Sequence, residues 1–248
     1  MRNATELTPA ATGHQRVIAI DGPAAAGKST VARLLADRLG ALLFDTGALY
    51  RAVALGALRA GVSPDDAKSL SDIATNAEIS VRSPSIRDDR LYDVWLNGED
   101  VTWAVRDPEV GATVSRVAEH PAVRNALLPL QRTIASSGPV VMVGRDIGTV
   151  VVPDAGLKIY LDATPVERAR RRFREAAARG STQSFEAVLA ETLQRDAIDS
   201  GRDTAPLRPA LDAVQIKTDG IPIEQIVAEI EALARAEADA MGAPLWPS

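Results

Sequence analysis

Short apolar runs and amphipathic stretches take turns along this chain. "RVIAI" (16–20), "ALLFD" (41–45), "GPVVMVG" (138–144), "GLKIYLDA" (156–163) and "AVQIKTDG" (213–220) are brief and largely apolar, the pattern of strands buried on both faces. Between and after them lie stretches with helical spacing. "KSTVARLLADRLG" (28–40) closes on Gly40 as a C-cap, and "GALYRAVALGALRAG" (47–61) ends near Gly61. "SPDDAKSLSDIATN" (63–76) is expected to begin with Ser63 as N-cap and Pro64 in the first helical position. Further helices are expected over about 107–119 and 121–137, separated by Pro121, and over 164–180, where Thr164 and Pro165 mark the start. Two more follow over 184–202 and 222–240. Strands alternating with helices predict an α/β fold with a central parallel sheet covered on both faces.

The rhythm breaks once. "EISVRS", "RLYDVWLNG" and "EDVTWAV" alternate like strands, with "RSPSIRDD" and "NGED" as turns. Asn97-Gly98 is a strong hairpin signal. Residues 78–105 therefore predict a small antiparallel β insert, which holds two of the three tryptophans.

Composition narrows the class. The chain has 248 residues, of which 46% are hydrophobic, enough for one single domain with a sizeable core over 16–240. Residues 1–15 read as a disordered N-terminal tail without the apolar segment of a secretory signal, and 241–248 as a C-terminal tail. No apolar run approaches the length of a membrane span, so no membrane partner is expected. With no cysteine there is no disulfide or thiolate metal site, and His14 and His120 are too far apart in sequence to suggest a histidine site. A net charge of −5 argues against nucleic acid as a partner. These features together predict a cytoplasmic protein. Almost all the basic charge is arginine, since only Lys28, Lys68, Lys158 and Lys217 are lysines. Arginine pairs in bidentate fashion with phosphate and carboxylate, so the arginine positions matter more than their number.

"GPAAAGKST" (22–30) fits G-x-x-x-x-G-K-[ST] between a predicted strand and a predicted helix, the context this phosphate-binding loop requires. Gly22, Pro23, Ala24, Ala25, Ala26 and Gly27 are small enough for backbone N–H groups to converge on phosphate oxygens, and the following helix start adds partial positive charge. Lys28 can reach the β- and γ-phosphates. The hydroxyl of Ser29 is the candidate ligand for Mg²⁺, directly or through water, with Thr30 as the alternative. The motif points to a nucleoside triphosphate without specifying the reaction.

Arginines recur where an acceptor would lie. In "FDTGALYR", Thr46 can cap a helix and Arg51 follows one turn inside it, at the carboxyl end of a strand, where α/β sheets bind ligands. "VVMVGRDIGTVV" leads from a strand into Arg145-Asp146. Asp146 could hold Mg²⁺, accept from an exocyclic amine of a base, or pair with Arg145 as a turn aspartate. The helix 164–180 carries Arg168, Arg170, Arg171, Arg172, Arg174 and Arg179, a cluster suited to charge neutralisation or to a solvated basic face. Arg195, Asp199 and Arg202, spaced four and three apart, share one helical face, either an ion-paired stripe or an anion clamp.

Taken together, these stretches resemble the bacterial cytidylate kinases, over about residues 16–235. "DTGALYR" is specific to nucleoside monophosphate kinases, and the β insert followed by "VRDPEVGATVSRVAEHPAVRNALLPLQR" and "GRDIGTVVVPDA" narrows the likeness to that family. The resemblance implies a P-loop kinase three-layer fold: core 16–62 and 138–240, a monophosphate-binding region with the insert at about 63–137, and a helical lid at about 164–183. It implies ATP as donor on loop 22–30, Mg²⁺ as cofactor, and CMP and dCMP as acceptors. Thr46, Arg51, Ser115, Arg124, Arg145, Asp146, Arg195, Asp199 and Arg202 match positions that contact the cytidine nucleotide. Lys28, Arg168, Arg171 and Arg172 are the expected catalytic set, the three arginines falling in the lid segment. Arg51, Arg124 and Arg195 would neutralise the acceptor phosphate, Arg145, Asp146 and Ser115 would read the base, and Asp199 the sugar. A monomer is expected.

Overall fold

The computed structural model describes residues 13–82 and 84–240. Five strands form one parallel sheet: β1 (Val17–Asp21), β2 (Leu42–Asp45), β6 (Val140–Val143), β7 (Leu157–Asp162) and β8 (Val214–Lys217), in the order β2-β6-β1-β7-β8. Alternate side chains point to opposite faces of a strand, and the sheet separates two cores accordingly. Val17 and Ala19 of β1, with Val140 and Met142 of β6, face one core; Ile18, Ile20, Val141 and Val143 face the other. The second core is closed by α1 (Lys28–Leu39) and α8 (Ile223–Ala240). The first is closed by α2 (Gly47–Arg59), α3 (Ala67–Asn76), α4 (Pro108–Glu119) and α5 (Pro121–Ala135). Both α4 and α5 start on proline at the first position, where the missing N–H costs nothing. α6 (Pro165–Ala178) and α7 (Phe185–Gly201) pack on each other beside the carboxyl ends of β1 and β7, joined by the edge-to-face rings of Phe173 and Phe185.

The insert is β3 (Ile79–Arg82), β4 (Asp93–Leu96) and β5 (Glu99–Asp100), antiparallel throughout. Asn97 (φ 51°) and Gly98 (φ 81°) both sit in the left-handed region, as a tight two-residue hairpin demands. The third expected strand is much shorter than its sequence suggests. Thr102 Oγ1 accepts the Val94 N–H at 2.9 Å, so a side chain replaces the backbone partner and the chain turns into a 3-10 segment at Ala104–Arg106. Arg90 locks the insert internally, donating to Asp88, Asp93 and Asp100.

Three other boundaries differ from the sequence expectation. α3 begins at Ala67, capped by Asp66, whose two oxygens accept from Ser69 N (3.0 Å) and Ser69 Oγ (2.7 Å). Ser63 instead accepts the Asp65 N–H at 3.2 Å in the preceding turn, because a carboxylate two-pronged on the helix start outcompetes a hydroxyl. Thr46 occupies the N-cap position of α2 without capping it. Its hydroxyl donates to Val143 O at 2.9 Å, and Asp45 accepts the Gly47 N–H instead. Residues 13–15, expected to belong to the disordered N-terminal tail, are ordered. Residues 13–16 form a 3-10 turn held by His14, which bonds Asp154 at 2.8 Å and Ser136 at 3.2 Å. The rest of the tail expected at 1–15, residues 1–12, and the tail expected at 241–248 lie outside the described residues.

Candidate active site

The phosphate loop joins β1 to α1, with φ of 143° at Gly22, 60° at Ala25 and 93° at Gly27. A Cβ on Gly22 would lie 2.0 Å from Leu161 O, so the loop can leave β1 only through glycine. Five consecutive carbonyls of the loop are engaged, two by its own lysine and three by residues outside it. Lys28 Nζ donates to Gly22 O (2.8 Å) and Pro23 O (2.7 Å), Arg168 to Ala24 O (3.3 Å), Arg171 to Ala25 O (3.5 Å) and Thr218 Oγ1 to Ala26 O (3.2 Å). Occupying the carbonyls leaves the loop amides for an anion. Burial, followed by the neighbouring Arg145, holds the Lys28 ammonium well below its ordinary range. A cation destabilised in this way gains from an arriving phosphate. Ser29 Oγ donates to Asp45 Oδ2 at 3.1 Å, whereas Thr30 is exposed on α1.

Arg168 and Arg171 are struts in this conformation. Arg168 is buried, donates to Ala163 O at 2.9 Å, and forms a two-pronged pair with Asp196 of α7. Arg171 donates to Thr218 Oγ1 at 3.0 Å and to Thr218 O at 2.8 Å, and pairs with Glu167. Both of these expected catalytic arginines are bonded to carbonyls of the loop in this arrangement. Arg172 is held more loosely, 3.7 Å from Glu191.

On the acceptor side the chain leaves β6 through Gly144 into a single π-helical turn, Ile147–Val151, which the strand-like sequence "DIGTVV" concealed. π turns concentrate at functional sites. Asp146 heads it, and its carboxylate pairs with the buried Arg124 of α5, whose guanidinium lies 5.4 Å from the Tyr50 ring. Arg145 pairs instead with Asp199, Nε to Oδ2 at 2.9 Å. The turn pair Arg145–Asp146 considered from sequence is thus absent among the described contacts. Arg124, expected at the acceptor phosphate, is paired here with Asp146, the expected base-reading acid.

The spacing of Arg195, Asp199 and Arg202 is resolved by the end of α7. Arg202 lies just past the helix in an extended conformation and turns back onto Asp199 Oδ1, opposite Arg145. Asp199 is buried at 2% exposure, and the charges of Arg145, Arg202 and Arg195 overcome desolvation to hold its carboxyl below the usual range. Arg195 has no ion pair within 4 Å among the described residues, and its Nε is shielded from solvent with no hydrogen-bond partner. Burial and the charges of Arg145, Arg51 and Arg172 push it down to about 9. Arg51 is tethered by one bond to Val105 O at 3.3 Å, and Ser115 is half-buried on α4. Sequence reasoning missed Asp21, Asp45, Asp196 and Thr218. Asp45 lay within the quoted "FDTGALYR", while the others carried no local motif.

A parallel five-stranded sheet, a phosphate loop after its central strand and an arginine cluster beside it define a P-loop phosphotransferase. Comparison with known proteins gives the family. The sequence profile of cytidylate kinase matches residues 18–236. Cytidylate kinase of Chloroflexus aggregans is 51% identical over 212 residues, covering 85% of this chain and 90% of that one. Those of Pelotomaculum thermopropionicum and Geobacter sulfurreducens are 52% and 47% identical, covering 87% and 88% of this chain and 94% and 92% of theirs. The chain belongs to the cytidylate kinase family, and is an ATP-dependent nucleoside monophosphate kinase.

Proposed function

We propose that this chain passes the γ-phosphoryl group of ATP to CMP or dCMP, giving ADP and CDP or dCDP. The observation that carries this reading is Arg195: a half-buried guanidinium with no ion pair within 4 Å among the described residues, on which burial and the charges of Arg145, Arg51 and Arg172 outweigh the attraction of Asp199. A phosphate dianion placed among these arginines relieves the repulsion that the free protein bears. A phosphate monoester is already largely ionised at neutral pH, with its second pKa near ~6, so no general base is required. Catalysis then rests on bringing two anions into line and neutralising their charge. Arg51, Arg195 and Arg202 hold the acceptor phosphate. Lys28 and the loop amides hold the donor, and Arg172, the least constrained of the α6 arginines named at the site, is the one free to meet the transferring group.

Cytosine offers an N4 amine donor with N3 and O2 acceptors. Asp146, oriented by Arg124, accepts from N4, while Arg145 and Ser115 donate to the ring. Uracil presents an oxygen to the same carboxylate, and such a mismatch costs about 1–3 kcal/mol. Asp199 holds Arg145 and Arg202 in place and accepts from a sugar hydroxyl. Acceptance of dCMP makes that the 3′-hydroxyl.

The donor set suits Mg²⁺. Ser29 hydroxyl and Asp45 carboxylate, bonded to each other at the start of α1, are hard oxygen groups that would hold the ion, in part through water. When bound, it neutralises charge on the β- and γ-phosphates. The chain works as a monomer in the cytoplasm, with no nucleic-acid partner. No helix among the described residues is long and apolar enough to cross a membrane. A panel of nucleoside monophosphates in an ADP-coupled assay tests the reading. CMP and dCMP should be turned over well above UMP, AMP and GMP; equal use of UMP would overturn the base assignment.

A further inference from the structure

Asp21 is the last residue of β1, buried at 4% exposure, and takes no part in the reaction as described. Its Oδ1 accepts the Ile147 N–H and its Oδ2 the Gly148 N–H, both at 2.8 Å, across more than 120 residues of sequence. These are the first two amides of the π turn, which have no acceptor within their own helix. Asp146 stands in the capping position but makes no side-chain cap, because its carboxylate is committed to Arg124. The residue just before Asp21 anchors the other side: Ile20 O accepts the Gly144 N–H at 3.1 Å. Arg145 and Asp146 are therefore a two-residue bow, pinned at both ends to consecutive residues of β1. Gly144 tightens the bow, since a Cβ there would lie 2.5 Å from Ile147 and 2.8 Å from Thr46.

We infer that Asp21 is the positioning residue for nucleotide-base selection: its carboxylate caps the π turn from another strand and so fixes where Arg145 and Asp146 meet the acceptor. The same residue leads directly into Gly22, so one backbone position sets both the donor loop and the base-reading pair. Ion-free alternatives for the two N–H groups would be simpler to bury. Desolvation raises the Asp21 carboxyl to about 6 even against the two amide bonds, and the charge of Asp146 pushes the same way. A carboxylate kept at that cost is explained by what it holds, since only a doubly accepting group satisfies both amides. This rests on the assignment of Asp146 to the base.

Asp21→Asn keeps the size but presents an amino group to one of the two N–H donors. Supporting groups of this kind are worth about tenfold to a hundredfold when removed. The KM for CMP should rise about tenfold or more while kcat changes less than about threefold, and the KM for ATP should stay within about twofold. The CMP/UMP ratio of kcat/KM should fall at least about fivefold, because the acid that discriminates them is no longer held in register. An unchanged CMP KM and ratio, or equal losses for ATP and CMP, would overturn the inference. Asp146→Ala run in parallel separates the two claims. If it shifts the CMP/UMP ratio and Asp21→Asn does not, only the positioning role fails; if neither shifts it, the base assignment itself fails. Should Asp21→Asn not fold, amide hydrogen exchange on the wild-type chain decides. Ile147 and Gly148 should exchange about as slowly as Ile20 in the sheet centre. Exchange at the rate of an open loop would overturn the cap.

Discussion

Arg195 and Asp21 are both charged groups whose burial costs the fold free energy. For Arg195 this predicts a trade of stability against function. Arg195→Met keeps the length of the side chain and removes the repulsion with Arg145, Arg51 and Arg172. The variant should melt about 2–4 °C higher, equivalent to about 1 kcal/mol, because the desolvation and repulsion that Arg195 bears exceed the attraction of Asp199. Its KM for CMP should rise at least about tenfold with ATP binding unchanged, since that cation is assigned to the acceptor phosphate and not to the donor. Thermal melts and a CMP titration check both halves, and a lower melting point would show that Arg195 is already compensated.

Asp21 gives a pH signature. Its folded value of about 6 lies above the ordinary 3.8, so protonation favours the fold. That stabilisation is complete below about pH 4 and is lost as the pH rises through 6, with a span on the order of 3 kcal/mol. Relative to Asp21→Asn, which does not titrate, the wild type should therefore gain melting temperature as the pH falls from 7.5 to 4.5. A constant difference across that range would refute the shift. Asp199 behaves with the opposite sign. Its carboxyl is held down, so its contribution is present above the ordinary range and fades as the pH falls through its lower folded value.

At the scale of elements, the phosphate loop admits no side chain at its first glycine. Gly22→Ala puts a methyl 2.0 Å from Leu161 O at a φ of 143°, so backbone strain alone should cost about 1–3 kcal/mol. ATP affinity should fall with it, because any relief moves the amides that hold the phosphates. Calorimetry with ADP tests this, and unaltered binding would mean the loop relaxes elsewhere. Local sequence signals were strong here, as glycine spacing, the lysine and the helix that follows lie within nine residues. They were weak where a distant group intervenes. Thr46 has the side chain of an N-cap but bonds Val143 O of a neighbouring strand, and β5 stops because Thr102 Oγ1 takes the Val94 amide. The π turn had no periodic signature at all, since its first amides are satisfied by Asp21 and not by its own residues.

For the whole molecule, α6, the helix of the lid segment expected at about 164–183, packs on α7. Arg168 ties them together through Asp196 and ties both to the loop through Ala24 O. Arg168→Met leaves Asp196 without its partner, and breaking a buried pair of this kind should cost about 2–3 kcal/mol, less than a fully buried case because Asp196 is partly exposed. The expected outcome is a lower melting temperature together with weaker ATP binding, with the KM for CMP affected less. If CMP suffered more than ATP, Arg168 would belong to the acceptor site after all.

The α/β class, the phosphate loop, the β insert and the roll of charged residues followed from the sequence alone, because each depends on short-range periodicity or on a motif contiguous in the chain. Which charges pair could not follow. Arg145 chose Asp199 over its neighbour Asp146, Arg124 reached Asp146 from another helix, and Arg195 was left with no ion pair within 4 Å among the described residues. Those choices depend on the strand order β2-β6-β1-β7-β8, which brings residues 21, 146 and 199 to one end of the sheet. Charge interactions in a poorly solvated site are decided by distances of a few ångströms, and only the folded chain sets those distances.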